Sequence, residues 1–173
     1  RNEARGLLLE GTAQNINTWS NEFTAARGHT LTDCTTAIST EYILTDINGA
    51  PRYAYKLTAT ANNGRVGKYS IPVTSGTPLA VSIYAKKGKG RGRFTGFDGT
   101  NSVIGFFNFD TGAFENITDA GGLLGYFKAD PLANGWYRLS CIWTPKVTGT
   151  NGASSIGCEL ANDWCYISGS QFE

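Results

Sequence analysis

The sequence has no methionine and only one histidine, five prolines and four cysteines in 173 residues. Charged residues make up 17%, under the ~25% of an average globular domain. They nearly cancel: 15 Lys+Arg against 14 Asp+Glu leave a net charge of +1. That balance excludes a polybasic nucleic-acid arm or an acidic tail as the chain's main character. No apolar run approaches the ~18 residues of a membrane helix. The opening RNEARGLLLEG offers three consecutive leucines, too few for the apolar core of a secretory signal. Its first residue is Arg, which we read as a processed chain or a piece of a longer one.

Other absences bear on chemistry. One histidine and no G-x-S-x-G leave no material for a Ser-His-Asp hydrolase. His29, in RGHTLTD, reads as a loop residue. The cysteines, Cys34, Cys141, Cys158 and Cys165, show no C-x-x-C and no histidine at zinc-ligand spacing. Three of them sit in apolar stretches (LSCIW, IGCEL, DWCYI), where a thiol packs as a small hydrophobe. All four are expected to be unpaired. Glycosidase chemistry needs two carboxylates facing across a cleft. Glu41, Asp46, Asp98, Asp110, Glu115, Asp119, Asp130 and Asp163 mostly neighbour Gly, Asn or Pro, where turn hydrogen bonding explains them. No pair stands out, so the chain reads as a non-enzyme.

What the chain does have is glycine (22 residues), 12% aromatics, and alternation at period two broken by turn signals. Almost no 3.6-residue period is present, so helix is expected in under about a tenth of the residues. The spacing predicts about twelve strands: 6–10, 42–47, 52–60, 65–73, 79–86, 93–97, 103–109, 113–118, 123–128, 136–144, 155–160 and 164–170. Asp110-Thr111-Gly112 is a hairpin signal, and Asn134-Gly135 a tight turn launching a strand. The stretch 11–40 reads as long loops with one more strand. The expected fold is all-β: one two-sheet antiparallel β-sandwich of jelly-roll type over residues 1–173.

Several segments carry a resemblance in order along the chain: GLLLEGTAQNINTWSNEF, VTSGTPLAVSIYAKKG, FFNFDTGAF, NGWYRLSCIW and WCYISGSQFE. Together they resemble a carbohydrate-binding-like jelly-roll domain of phage tail and fibre proteins, over roughly Gly6 to Glu173. Leu79 departs from the pattern, standing where a tyrosine is expected. The resemblance implies a module of a larger virion protein, on a tail fibre, tailspike or other appendage. It would adhere without catalysis to host cell-surface polysaccharide, and it would contact other virion proteins and self-associate, as a trimer in a fibre. It would neither bind nucleic acid nor insert in a membrane. The rival is a structural or decoration domain of a virion with no sugar ligand. The first strand, 7–10, and the last, 167–172, are expected to pair.

Sugar recognition needs flat aromatic faces and planar polar groups on a sheet or among loops. Trp19 and Trp164 have polar neighbours, and Tyr69 shares a strand with Arg65; these four are candidate glycan contacts. The run Lys86-Lys87-Gly88-Lys89-Gly90-Arg91-Gly92-Arg93 holds five cations in eight residues. It lacks the P-loop pattern, and the resemblance places it at a hairpin between two strands. Arg91 and Arg93 join the candidates. Carbohydrate-binding jelly rolls can also hold a structural calcium through carboxylates and backbone carbonyls. Glu22 is the one hard ligand in place, since Ser168 and Ser170 stand where an Asp is wanted.

Overall fold

A computed structural model describes residues 22–45 and 51–172. They form twelve strands and two single-turn 3-10 segments, Ala25–Arg27 and Ala133–Gly135. The strands are β1 (Thr30–Thr32), β2 (Cys34–Thr45), β3 (Pro51–Ala59), β4 (Arg65–Val73), β5 (Leu79–Lys89) and β6 (Gly92–Phe97). They continue with β7 (Ser102–Asn108), β8 (Ala113–Asp119), β9 (Leu124–Pro131), β10 (Trp136–Trp143), β11 (Gly149–Cys158) and β12 (Trp164–Phe172). The first sheet has the order β1-β4-β11-β6-β7-β8 and the second β2-β3-β12-β5-β10-β9. Every neighbouring pair given a register runs antiparallel. This is the two-sheet sandwich that the alternation predicts.

The reason is visible in the burial. Successive side chains of a strand point to opposite faces. Val66, Ile71 and Val73 on β4, and Phe94 on β6, are buried between the sheets. From the second sheet they meet Leu57, Val81, Ile83, Leu139, Trp143 and Ile167. Gly96 faces the same interior: a Cβ there would sit 2.8 Å from the Trp143 indole, so the missing side chain makes room for the largest core ring. Tyr137 packs against this core, while its neighbour Trp136 joins Ala54 and Tyr166 in a separate buried cluster.

Turn chemistry holds where it was readable. The β7–β8 hairpin closes with Gly112 at φ 69°, its N–H donating to the Asn108 carbonyl at 2.9 Å. Asn134 (φ 60°) and Gly135 (φ 74°) turn the chain into β10. Three expectations are corrected. β11 begins at Gly149, six residues before the expected start, because its glycine-, serine- and threonine-rich half lacks an apolar rhythm. The stretch before Thr40 supplies β1 and most of β2, more strand than expected. The basic run is not a hairpin: β5 and β6 belong to different sheets, so it crosses the end of the sandwich as an arch. The expected strand 6–10, and its pairing with the last strand, lie outside the described residues. Among those residues no helix is long and apolar enough to cross a membrane.

Candidate functional site

The outward face of the first sheet carries a groove of about 260 Å³. Register builds it row by row. Arg65 on β4 and Arg93 on β6 both pair with Gly157 on β11, and Arg93 pairs on its other side with Phe106 of β7. The next row is Gly67, Ser155, Thr95 and Ile104. Beyond it lie Ala153, Phe97 and Ser102. The middle strand therefore contributes only Gly, Ser and Ala to the face, and the flanking strands carry the long side chains. A shallow trough follows from that difference in size. A Cβ on Gly157 would run into the Gly64 carbonyl and lie 2.7 Å from Arg65 Cβ.

A bulge sets one wall. Lys68 pairs with Ser154 and Ile71 with Gly152, so Tyr69 and Ser70 together oppose Ala153. Ser70 sits at φ 56°, in the left-handed region that non-glycine residues rarely adopt. Bulges re-aim side chains, and here Tyr69 lines the groove. Arg65 holds it there, its Nε donating to the Tyr69 hydroxyl at 3.1 Å and its Nη1 to the Asn63 carbonyl at 3.3 Å.

The floor is polar and underused. Arg93 is only 8% exposed, yet among the described residues its Nε and Nη1 have no hydrogen-bond partner, and neither does Thr95 Oγ1. Burial, and then the Arg65 charge, push the Arg93 pKa down to about 10, with Tyr69 acting in the opposite sense. Buried polar groups are ordinarily satisfied, so these atoms are a deficit that a ligand's oxygens would fill.

The candidates divide. Arg65, Tyr69 and Arg93 come together in the groove. Arg91 lies beyond its end, with Nε and Nη2 each 2.6 Å from a Glu159 carboxylate oxygen and Nη1 3.4 Å from Glu115. Trp164 lies on the second sheet, edge-on to Tyr166 at 5.3 Å and under Lys56 Nζ at 4.1 Å. Its ring covers Gly88, where a Cβ would collide with it. Trp19 is outside the described residues. Other members of the basic run are also engaged: Lys87 pairs with Asp110, and Lys89 lies 3.7 Å from Asp163. Sequence reasoning did not single out Phe97 among the candidate aromatics, and it left Thr95 and Ser155 out of the site. The alternation of RFTGF, with Phe94 in the core, holds the signal for the first two.

Glu22, the calcium candidate, sits in an ion pair. Its Oε2 accepts from Arg27 Nε at 2.6 Å, so a cation already occupies the carboxylate. Among the described residues no three His, Cys, Asp or Glu side chains gather as ligands. Chemically the groove offers aromatic rings, hydroxyls and guanidinium forks, and among the described residues no carboxylate lines it. That suits holding a polyhydroxylated chain rather than cleaving one.

No known family profile matches the chain, and no curated protein matches it in sequence. In fold it is similar to the CBM22-1 xylan-binding domain of Paenibacillus barcinonensis Xyn10C, with TM-score 0.55, 13% identity and 85% of each chain covered. It is also similar to the CBM22-1–GH10 modules of Clostridium thermocellum xylanase 10B complexed with xylohexaose, with TM-score 0.52 and 14% identity; there 91% of this chain spans 27% of that one. The chain thus has a carbohydrate-binding-module-like β-sandwich fold.

Proposed function

We propose that this domain is a non-catalytic carbohydrate-binding module that lays a stretch of host-surface glycan along the groove of the first sheet. The observation that carries the reading is the groove itself: unpartnered Arg93 and Thr95 atoms in its floor, with Tyr69 and Phe97 beside them. Sugars present apolar ring faces to aromatic side chains and rims of hydroxyls to donors. The fold shared with a xylan-binding domain supports a sugar ligand without naming which one. The order of motifs along the sequence supports a place on a phage tail fibre, tailspike or other virion appendage. There the module would contact other virion proteins and self-associate, as a trimer in a fibre. A shallow trough buries little ligand, so each site is weak, and repeated copies raise the effective strength.

The test is affinity electrophoresis and host-cell binding with Tyr69→Ala and Phe97→Ala. Both variants should keep the β-sheet circular dichroism of the parent and lose retention by the glycan that retards the parent. If the parent binds no cell surface and no polysaccharide, the domain is a structural or decoration module instead.

A further inference from the structure

The groove's charge narrows the ligand beyond a sugar in general. Arg65 and Arg93 flank Gly157 in one row. Strands two apart in a sheet are about 10 Å apart, and Gly157 puts no side chain between them. Both side chains line the groove, so the two guanidiniums face one space. Among the described residues the groove lining brings no carboxylate into that space. Arg65 spends its described bonds on the Tyr69 hydroxyl and the Asn63 carbonyl, both neutral oxygens. Arg93 makes none with Nε or Nη1. One row away, Arg91 takes up Glu159 and Glu115, so those acids are already matched.

Two like charges held side by side, one of them more than nine-tenths buried, repel each other and are costly to keep. A neutral glycan would supply hydroxyl oxygens but leave the charge uncompensated. A carboxylate would answer both needs, because it is planar, accepts from several N–H groups and matches the guanidinium fork. We propose that the groove takes an acidic glycan, with the carboxylate of a hexuronate or other sugar acid seated between Arg65 and Arg93. This rests on the groove being a glycan site. It adds the charge of the sugar and the two residues that read it.

The experiment compares ligands as well as variants. The purified 173-residue domain is titrated with polygalacturonate, alginate and hyaluronan, and with each polymer after its carboxyl groups have been reduced to primary alcohols. Neutral xylan and dextran sulfate serve as controls. At least one polyuronate should bind, and its reduced form should bind about ten-fold or more weakly, the cost of losing a charge-assisted pair. Arg93→Gln should lose as much on the acidic polymer and clearly less on the reduced one, where only hydroxyl contacts to Arg93 are lost. Arg93→Lys should recover only part, since an ammonium keeps the charge but not the fork.

Equal binding of native and reduced polymers, unchanged by Arg93→Gln, would overturn the acidic specificity and leave glycan binding standing. Retention of dextran sulfate as strong as that of every polyuronate would reduce the site to non-specific charge attraction and also overturn it. Binding to none of the polymers would count against both readings. The native-versus-reduced comparison uses the parent protein, so it decides the matter even if an Arg93 variant fails to fold.

Discussion

Asp98 reaches across 48 residues of sequence to accept the backbone N–H of Lys146 at 3.0 Å on Oδ2. Its Oδ1 accepts those of Thr100 and Asn101 at 2.9 and 2.7 Å. One buried carboxylate thus ties the β6–β7 turn to the segment between β10 and β11, next to Phe97 at the end of the groove. Burial alone would raise its pKa. The N–H groups of Asn101, Lys146 and Thr100 outweigh that and hold it below the ordinary carboxylate range.

Asp98→Ala should cost roughly 2–4 kcal/mol, since it leaves buried donors unanswered. Chemical denaturation at neutral pH checks this. A depressed carboxylate pKa gives stability that is present above the unfolded value of ~4 and is lost as pH falls through the folded value. The gap between parent and variant should therefore narrow below about pH 4. A gap that is constant down to pH 2 would contradict the assignment.

His29 answers to pH in a higher window. It is 4% exposed and packs against Phe23 with ring centroids 5.2 Å apart, so the expected loop residue is in fact buried. Burial, then the Lys68 ammonium, lower its pKa, against an opposing contribution from the Glu22 backbone. A histidine with a lowered folded pKa gives stability that is full above the unfolded value of ~6.5 and falls as pH drops below it. Denaturation midpoints measured from pH 8 to pH 5 should decline in the parent. His29→Leu should flatten that decline. An unchanged slope in the variant would assign it to other groups.

Arg93 carries a cost in the free domain. Replacing a buried, unpartnered cation with an apolar side chain of similar length is neutral or stabilising in comparable settings, by about 1–2 kcal/mol. Arg93→Met should therefore raise or preserve the melting temperature while weakening ligand binding. A variant destabilised by more than about 1 kcal/mol would mean that the guanidinium is satisfied in the free fold.

Cys158 and Cys165 hold their sulfurs 3.8 Å apart in the core. The thiol–thiol hydrogen bond and then burial push the Cys158 pKa strongly up, and burial likewise raises Cys141. The thiolate is the reactive form, so the folded protein should react slowly with a thiol reagent at pH 8. After denaturation without reductant, four thiols should titrate, in keeping with four free cysteines. A count of two would show that the close pair had joined.

The strands were legible because each buries one face. β4 was read from Arg65 to Val73, the bounds it has, but plain alternation set Val66 on the face opposite Ile71 and Val73, and the bulge at Tyr69 and Ser70 turns all three inward. The first sheet's register was not legible. Arg65 and Arg93 meet only through Gly157, far along the chain in a strand whose glycines and serines give no period. The Tyr69 bulge was equally hidden, because a local pattern does not show that two residues oppose one. Composition made the basic run conspicuous, yet it could not separate an arch from a hairpin. It also could not show that Lys87, Lys89 and Arg91 have acidic neighbours while Arg93 does not. Polar neighbours drew attention to Trp164, whose ring is occupied with Gly88 and Tyr166.

A nitrogen-15 chemical-shift map during titration with a bound oligosaccharide locates the ligand on the molecule. Perturbed amides should cluster at Arg65, Tyr69, Arg93, Thr95, Phe97 and Ser155, with little change around Tyr84, Tyr126 and Arg138 on the opposite sheet. Shifts confined to that opposite sheet, with the first sheet unmoved, would contradict a glycan groove between Arg65 and Arg93.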